Sequence, residues 1–325
     1  MKRVVLLSLV LVLVLSFFTG CGKKAETYEL KVSTVLADTD PIVAGLEKMA
    51  EEVAEKTDGK VVVEVYPSSQ LGDTADVLEQ AKSGTNVGVI IDTGMLADYV
   101  PDMAIYTAPY VFDNVEQARA FIETDLFAAW DEELATHGLR DLSCNWYQGA
   151  RHFLTNKPVS TPADLRGLRV RTMGSTVAQE SMSSLGAVPT SLAWSEVYSG
   201  LQQKVIDSAE AQLPAVYGAS LHEVVDYITE TGHFLLYTAL AISEEWFQSL
   251  PEEYQEVLLE ASMTAGDYAT ELTLEKEVEF KKEMQAAGVT FSAVDIEPFK
   301  QASSSVYETM GWLELKAQID RALGK

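Results

Sequence analysis

The run Val61-Val62-Val63-Glu64-Val65-Tyr66 decides the fold. β-Branched side chains crowd it, which suits a buried strand rather than a helix. Upstream, Asp40-Pro41 is a helix-start signal, and Ile42, Leu46, Met49, Ala50 and Val53 recur at helical spacing until Asp58-Gly59 stops the pattern. Before that helix lies another strand-like run, Leu30 to Val35. Downstream, Leu71-Gly72-Asp73 leads into a helix from about Asp73 to Lys82, and Val87 to Ile91 reads as a third strand. Strand, helix, strand, helix, strand predicts a parallel α/β sheet.

Farther out, Pro101 to Asn114 reads as irregular, followed by a helix from Val115 to the Asp125 region and another to about His137. Arg140 to Trp146 is the expected strand towards a second domain. Thr161-Pro162-Ala163-Asp164 opens a short helix: Thr161 can cap, Pro162 occupies the first position and Asp164 can close a capping box. Gly167 stops it, and Leu168 to Arg171 follows as a strand. The next expected elements are a helix (about Ser175 to Leu185), a short strand (Val188 to Ser191), a helix (Ser195 to Gln203) and a strand near Val205 to Ala209. Ser249-Leu250-Pro251-Glu252 then starts a helix whose period holds to Gly288. About 36 residues at 1.5 Å each span roughly 54 Å, longer than one small domain is wide, so this helix should cross two.

The chain has 325 residues and a formal net charge of −25. Lys2 and Arg3 precede an almost wholly apolar stretch, Val4 to Phe18, too short for a spanning helix and laid out as a secretory signal. It ends in Phe18-Thr19-Gly20-Cys21, a small-residue box before cysteine that resembles a bacterial lipoprotein cleavage site. That resemblance implies cleavage before Cys21 and lipid upon it; the alternative is an ordinary signal with an incidental cysteine. Loss of Lys2 and Arg3 with the signal lowers the charge by two, to −27. Such acidity argues against nucleic acid and anionic lipid surfaces as partners. An anionic ligand would need arginines gathered in one cleft, which a screened overall field permits. With Cys21 lipidated, Cys144 has no disulfide partner and reads as a buried apolar side chain.

Catalytic signatures are missing from the sequence: no phosphate-binding loop with lysine, no His-Glu-x-x-His, no Gly-x-Ser-x-Gly. The four histidines, His137, His152, His222 and His233, have no partners at metal-ligand spacing, and most of them read as surface or half-buried. Neither a catalytic residue nor a metal or other cofactor is expected.

An ordered set of motifs runs from Trp146 to His233: Arg151-His152-Phe153-Leu154-Thr155-Asn156-Lys157-Pro158, Pro162 to Arg171, Leu185-Gly186-Ala187-Val188-Pro189, Trp194-Ser195-Glu196-Val197-Tyr198 and Leu201 to Asp207. With Tyr66-Pro67-Ser68-Ser69-Gln70-Leu71-Gly72 and Ala108-Pro109-Tyr110-Val111-Phe112, it resembles the dicarboxylate-binding (DctP-like) solute-binding component of tripartite ATP-independent periplasmic (TRAP) transporters. The resemblance implies two α/β domains that close on a ligand across a cleft, joined by strands and one long helix. The expected division is residues 1–20 as signal, 21–27 as lipidated tether, 28–148 with 237–276 as domain I, 149–236 with 277–305 as domain II, and 306–325 as a C-terminal helix. It implies an exported protein, periplasmic or on the outer face of the cell membrane, with a small organic acid as ligand, TRAP membrane subunits as partners, and no enzymatic activity. A sensor module of the same fold, reporting to a receptor or kinase, is the alternative.

By the same resemblance, Arg171 holds the ligand carboxylate, as a guanidinium fork suits both oxygens. Arg169 lies two residues earlier on the same strand face, and spacing alone does not separate the two. Arg151 matches a second arginine near the charged end, and Trp194 an aromatic wall. Tyr198, one turn on, could share that wall; Glu210 completes the ligand-binding set. Asp92 matches a polar contact that favours a hydroxyl or amine over a second carboxylate. Relatives often carry Asp-Gly-x-Glu-Asn where this chain has Asp207-Ser208-Ala209-Glu210-Ala211. Ala211 is therefore expected to remove a polar contact and open space. With Trp146, Tyr147 and Phe153 nearby, a partly apolar or aromatic monocarboxylate becomes an expected ligand beside a dicarboxylate.

Overall fold

The computed structural model describes residues 27–325; Cys21 and the segment before it lie outside the described residues. Strands β1 (Tyr28–Ser33), β2 (Val61–Tyr66) and β3 (Val87–Asp92) are parallel neighbours, with helices Pro41–Lys56 and Thr74–Lys82 as their crossovers. Asp40 caps the first of these through the Ile42 amide, 3.0 Å away. The βαβαβ reading holds because hydrophobic periodicity and capping agree along the segment.

The sheet continues antiparallel from β3 into β10 (Leu235–Ser243), which pairs with the short β4 (Leu139–Asp141) and with β5 (Trp146–Thr155). From β5 the chain of pairings runs through β8 (Ser208–Gln212) and β6 (Arg169–Thr172) to β7 (Val188–Ser191). Two further strands, β9 (Tyr227–Glu230) and β11 (Thr290–Ala293), extend from β5 on another edge. The ten-residue β5 and the nine-residue β10 thus run through both halves of the sheet.

Helix Glu252–Ala286 has 35 residues and packs along both halves. Towards its start, Ala265 and Ala269 belong with Leu46 and Trp146 to one apolar cluster; towards its end, Phe280 and Met284 belong with Leu154 and Ile228 to another. A Cβ on Gly45 would come within 2.7 Å of the Ala269 Cβ. Only glycine lets helix Pro41–Lys56 lie that close to the long helix.

Four expectations are corrected. The crossing strand is not Arg140 to Trp146: β4 ends at Asp141 and the crossing falls to β5. The strand near Val205 to Ala209 begins later, at Ser208, since Lys204 turns the chain with φ 58° and Val205 is exposed. Residues 306–325 are not one helix but Ser305–Thr309 and Leu313–Ala322, with Gly311 between them. Pro101–Thr107, read as irregular, is a 3-10 helix. No helix among the described residues is long and apolar enough to cross a membrane.

Candidate functional site

A cavity of about 230 Å³ opens where the two halves of the sheet meet. Arg151, Arg171, Trp194 and Asp92 all line it, as do Asp73 and Gln148. Strand β6 supplies Arg171 in register with Thr190 of β7 and Ala209 of β8. Its side chain is 6% exposed, and its one hydrogen bond within the protein runs from Nε to the Leu192 carbonyl at 3.0 Å. Neither terminal nitrogen has a protein acceptor among the described residues. Burial and the nearby Arg151 push its pKa down to about 10, so it stays charged at neutral pH. The Trp194 ring centroid lies 5.2 Å from the guanidinium carbon, a cation–π contact.

Arg151 on β5 is held differently. It is 3% exposed and forks onto the wholly buried Glu210 of β8, donating from Nε and from Nη2. Nη2 also donates to the Glu210 carbonyl (2.6 Å) and Nη1 to the Gln212 side chain (2.7 Å). Gln212 in turn donates to Gln148, and Gln148 to Thr238, so polar contacts run across the strands without a gap. Thr172 adds a donor to Glu210 at 2.7 Å. Burial alone would raise the Glu210 pKa, but Arg151, His233 and these hydrogen bonds hold it down to about 2. Asp92 takes hydrogen bonds from the Gly94 amide, Thr107 and Ser175, and burial raises its pKa against them.

Arg169 and Arg171 do not share an environment. Arg169, at the strand end, is exposed and paired to Asp207 at 2.8 Å, so of these two arginines Arg171 is the one at the cavity. Glu210 is not a wall of the cavity but stands behind Arg151. Tyr198 is not brought to the site: its hydroxyl donates to Glu223 at 3.2 Å and its half-buried ring packs against the apolar cluster of Leu154 and Ile228. Trp194 sits in a 3-10 turn ahead of helix Val197–Gln202, so the one-turn relation of a continuous helix does not apply. Ala211 does not open the cavity either. On β8 it alternates away from Glu210 and Gln212 and lies in an apolar cluster. Trp146, Tyr147 and Phe153 are likewise core residues, so the expected aromatic lining reduces to Trp194.

His152 and His233 are both buried, against the reading of most histidines as surface or half-buried. His233 stacks on Phe153 (4.6 Å between centroids) and faces Glu210 at 3.4 Å. Burial lowers the pKa of both, His152 to about 3. Asp73, Gln148, Gln212 and Thr238 escaped the sequence reading, since single polar residues within strands or at a helix start carry no pattern of their own. Among the described residues, no group of histidine, cysteine and carboxylate side chains could hold a metal ion.

A cleft between two α/β halves, crossed by paired strands and a long helix and furnished with buried arginines, defines a solute-binding protein. Residues 32–311 match the model for the bacterial extracellular solute-binding protein family 7 (DctP), and the chain belongs to that family as a TRAP-type periplasmic solute-binding protein. It is 31% identical over 295 residues to the C4-dicarboxylate-binding periplasmic protein DctP of Rhodobacter capsulatus, covering 89% of this chain and 87% of the relative. A TRAP periplasmic solute-binding protein from Ochrobacterium anthropi, solved with bound L-fuconate, is 31% identical with TM-score 0.89, covering 91% and 99%. The apo open form of one from Escherichia fergusonii is 41% identical but overlays less well, TM-score 0.81, covering 91% and 100%.

Proposed function

We propose that the protein captures a small organic acid in this cavity and delivers it to the membrane subunits of a TRAP transporter, without chemical turnover. Arg171 carries the reading. A buried guanidinium with both terminal nitrogens unpaired is costly unless a partner arrives, and a planar carboxylate matches its fork. Arg151, already braced by Glu210, helps fix the charged end, while Trp194 covers one face. The cavity lies between the lobes assigned above to residues 28–148 with 237–276 and residues 149–236 with 277–305. Ligand draws these lobes together, and the closed form is the one presented to the membrane subunits. Lipid on Cys21 holds the protein at the outer face of the cell membrane; Cys21→Ser should release it from the membrane fraction, and unchanged fractionation and mass would remove the anchor.

Calorimetry with L-fuconate and succinate tests the site. Removing one partner of a buried charge pair costs roughly 3–5 kcal/mol. Arg171→Ala should therefore weaken whichever acid binds by about a hundred- to several-thousand-fold. Arg171→Lys should also lose affinity, because a point charge cannot reproduce the fork. Arg169→Ala, which disturbs the surface contacts with Asp207 and the Lys204 carbonyl and none at the cavity, should bind as the parent does. Normal binding by Arg171→Ala would refute the reading.

A further inference from the structure

Two relatives that each share 31% identity with this chain, the C4-dicarboxylate-binding one and the L-fuconate-bound one, take a dianion and a monoanion. Overall similarity therefore does not decide which class fits here, but the charges around the cavity do. Arg151 and Arg171 are the two cationic side chains among the described residues that line it. Arg151 is already met by Glu210, so Arg171 alone offers an uncompensated positive charge. Asp73 stands against it on the same cavity. It precedes helix Thr74–Lys82 in the capping position, yet its side chain makes no capping hydrogen bond. No hydrogen bond or ion pair to the Asp73 carboxylate is present among the described residues. It is close enough to Arg171 for its charge to oppose part of the effect of burial on that guanidinium. Asp92 adds a third carboxyl, its oxygens already taken by Thr107, Gly94 and Ser175.

We propose that the cavity selects a monocarboxylate bearing hydroxyl groups and rejects a dianion, and that Asp73 enforces the choice. This rests on the reading that Arg171 holds a ligand carboxylate. Once the first carboxylate has taken Arg171, a second one finds no free cation and meets Asp73. A hydroxyl there instead donates to a carboxylate whose lone pairs the protein leaves open. A phosphate monoester, close to a dianion at neutral pH, is disfavoured for the same reason. Asp73 is thus a specificity residue: it acts on the far end of the ligand and weighs its charge.

L-Galactonate and galactarate share one six-carbon chain and differ by a terminal alcohol against a second carboxylate, which makes them the probes. At a separation of about 6 Å and an effective dielectric constant of about 20–40, the extra like-charge contact disfavours the diacid about ten- to a hundredfold. Calorimetry on the parent protein should show that gap. Asp73→Asn, which keeps a side chain able to cap the helix, should narrow it about tenfold, tightening galactarate by removing the like charge while weakening galactonate a few-fold by putting a neutral acceptor in place of a charged one. A lost structural feature would weaken both ligands together. Equal affinities in the parent overturn the proposal, as does an unchanged gap in a folded Asp73→Asn variant. Binding of neither acid overturns the hydroxy-acid class, while the succinate and L-fuconate measurements on Arg171→Ala still judge the carboxylate reading separately. The parent comparison decides the charge rule by itself if the variant does not fold.

Discussion

Asp40 shows how one buried carboxyl can give the stability of the protein a pH dependence. It caps helix Pro41–Lys56 through the Ile42 amide, but desolvation outweighs that hydrogen bond and raises its pKa from 3.8 to about 7. Between pH 4 and 7 the folded state keeps a proton that the unfolded state gives up. The stability from this group is complete below about pH 4 and is lost as pH rises through 7. Asp40→Asn retains a capping acceptor and cannot ionise. Its stability relative to the parent should therefore rise by a few kcal/mol from pH 4 to 8, most of it below pH 7. Urea unfolding at pH 4.5 and 8 measures this, and a gap that ignores pH would place the ionisation elsewhere. At the same scale, the motif that put Arg171 at the site was legible, and so were Arg151, Trp194 and Asp92 as cavity residues. What separates Arg171 from Arg169 was not. That distinction comes from Asp207, 38 residues away, which takes Arg169 out to the surface. Tyr198 failed because the reading assumed one helix where the chain makes a 3-10 turn first.

Elements were legible where composition and geometry agree. Four of the six residues of β2 are valine, and the long helix keeps its apolar period through both halves. β8 was misplaced for a physical reason. Its sequence, Ser-Ala-Glu-Ala-Gln, has no strand composition, yet every residue in it is buried. It is a strand because β5 and β6 pair with it on either side, and it is polar because it carries Glu210 and Gln212 to Arg151. Non-local pairing of this kind leaves no local periodicity. The crossing strand β5 hides a second device. Its register against β10 shifts between Leu236 and Tyr237, so Gln148 bulges out towards the cavity. Gly149 next to it holds φ 126°, which a side chain would resist. Glu277 of the long helix accepts the freed Ala150 amide at 3.0 Å, and burial raises its pKa to about 7. The bulge, the glycine and the helix carboxyl lie together where the chain passes from one half to the other.

At the scale of the whole molecule, a few contacts cross the cleft between the two halves of the sheet, and on the proposed function they belong to its closed form. The Ser175 hydroxyl, just after β6, donates to Asp92 at the end of β3 at 3.1 Å. Beside it, Gly94 faces the same serine: a Cβ there would lie 2.8 Å from both the Cβ and Oγ of Ser175 and 3.0 Å from Val177. These atoms belong to opposite halves of the sheet, so their contact exists only while the halves are together. Alanine at position 94 would meet the short, stiff base of Ser175 rather than the end of a flexible side chain, and overpacking of this kind costs about 1–3 kcal/mol. That cost falls on the closed form and spares the open one. Apparent affinity scales with the closed fraction, so Gly94→Ala should bind about five- to a hundredfold more weakly. Its unfolding midpoint without ligand should stay near the parent's if the free protein is open. Ser175→Ala, which removes the hydrogen bond but leaves room, should lose about two- to tenfold, less than Gly94→Ala does. Small-angle scattering supplies the structural check. With saturating ligand the parent should contract, and Gly94→Ala should contract only at higher ligand concentration. Parent-like affinity and parent-like contraction in Gly94→Ala would mean that the halves meet elsewhere, and that the Asp92–Ser175 contact follows closure without helping to hold it.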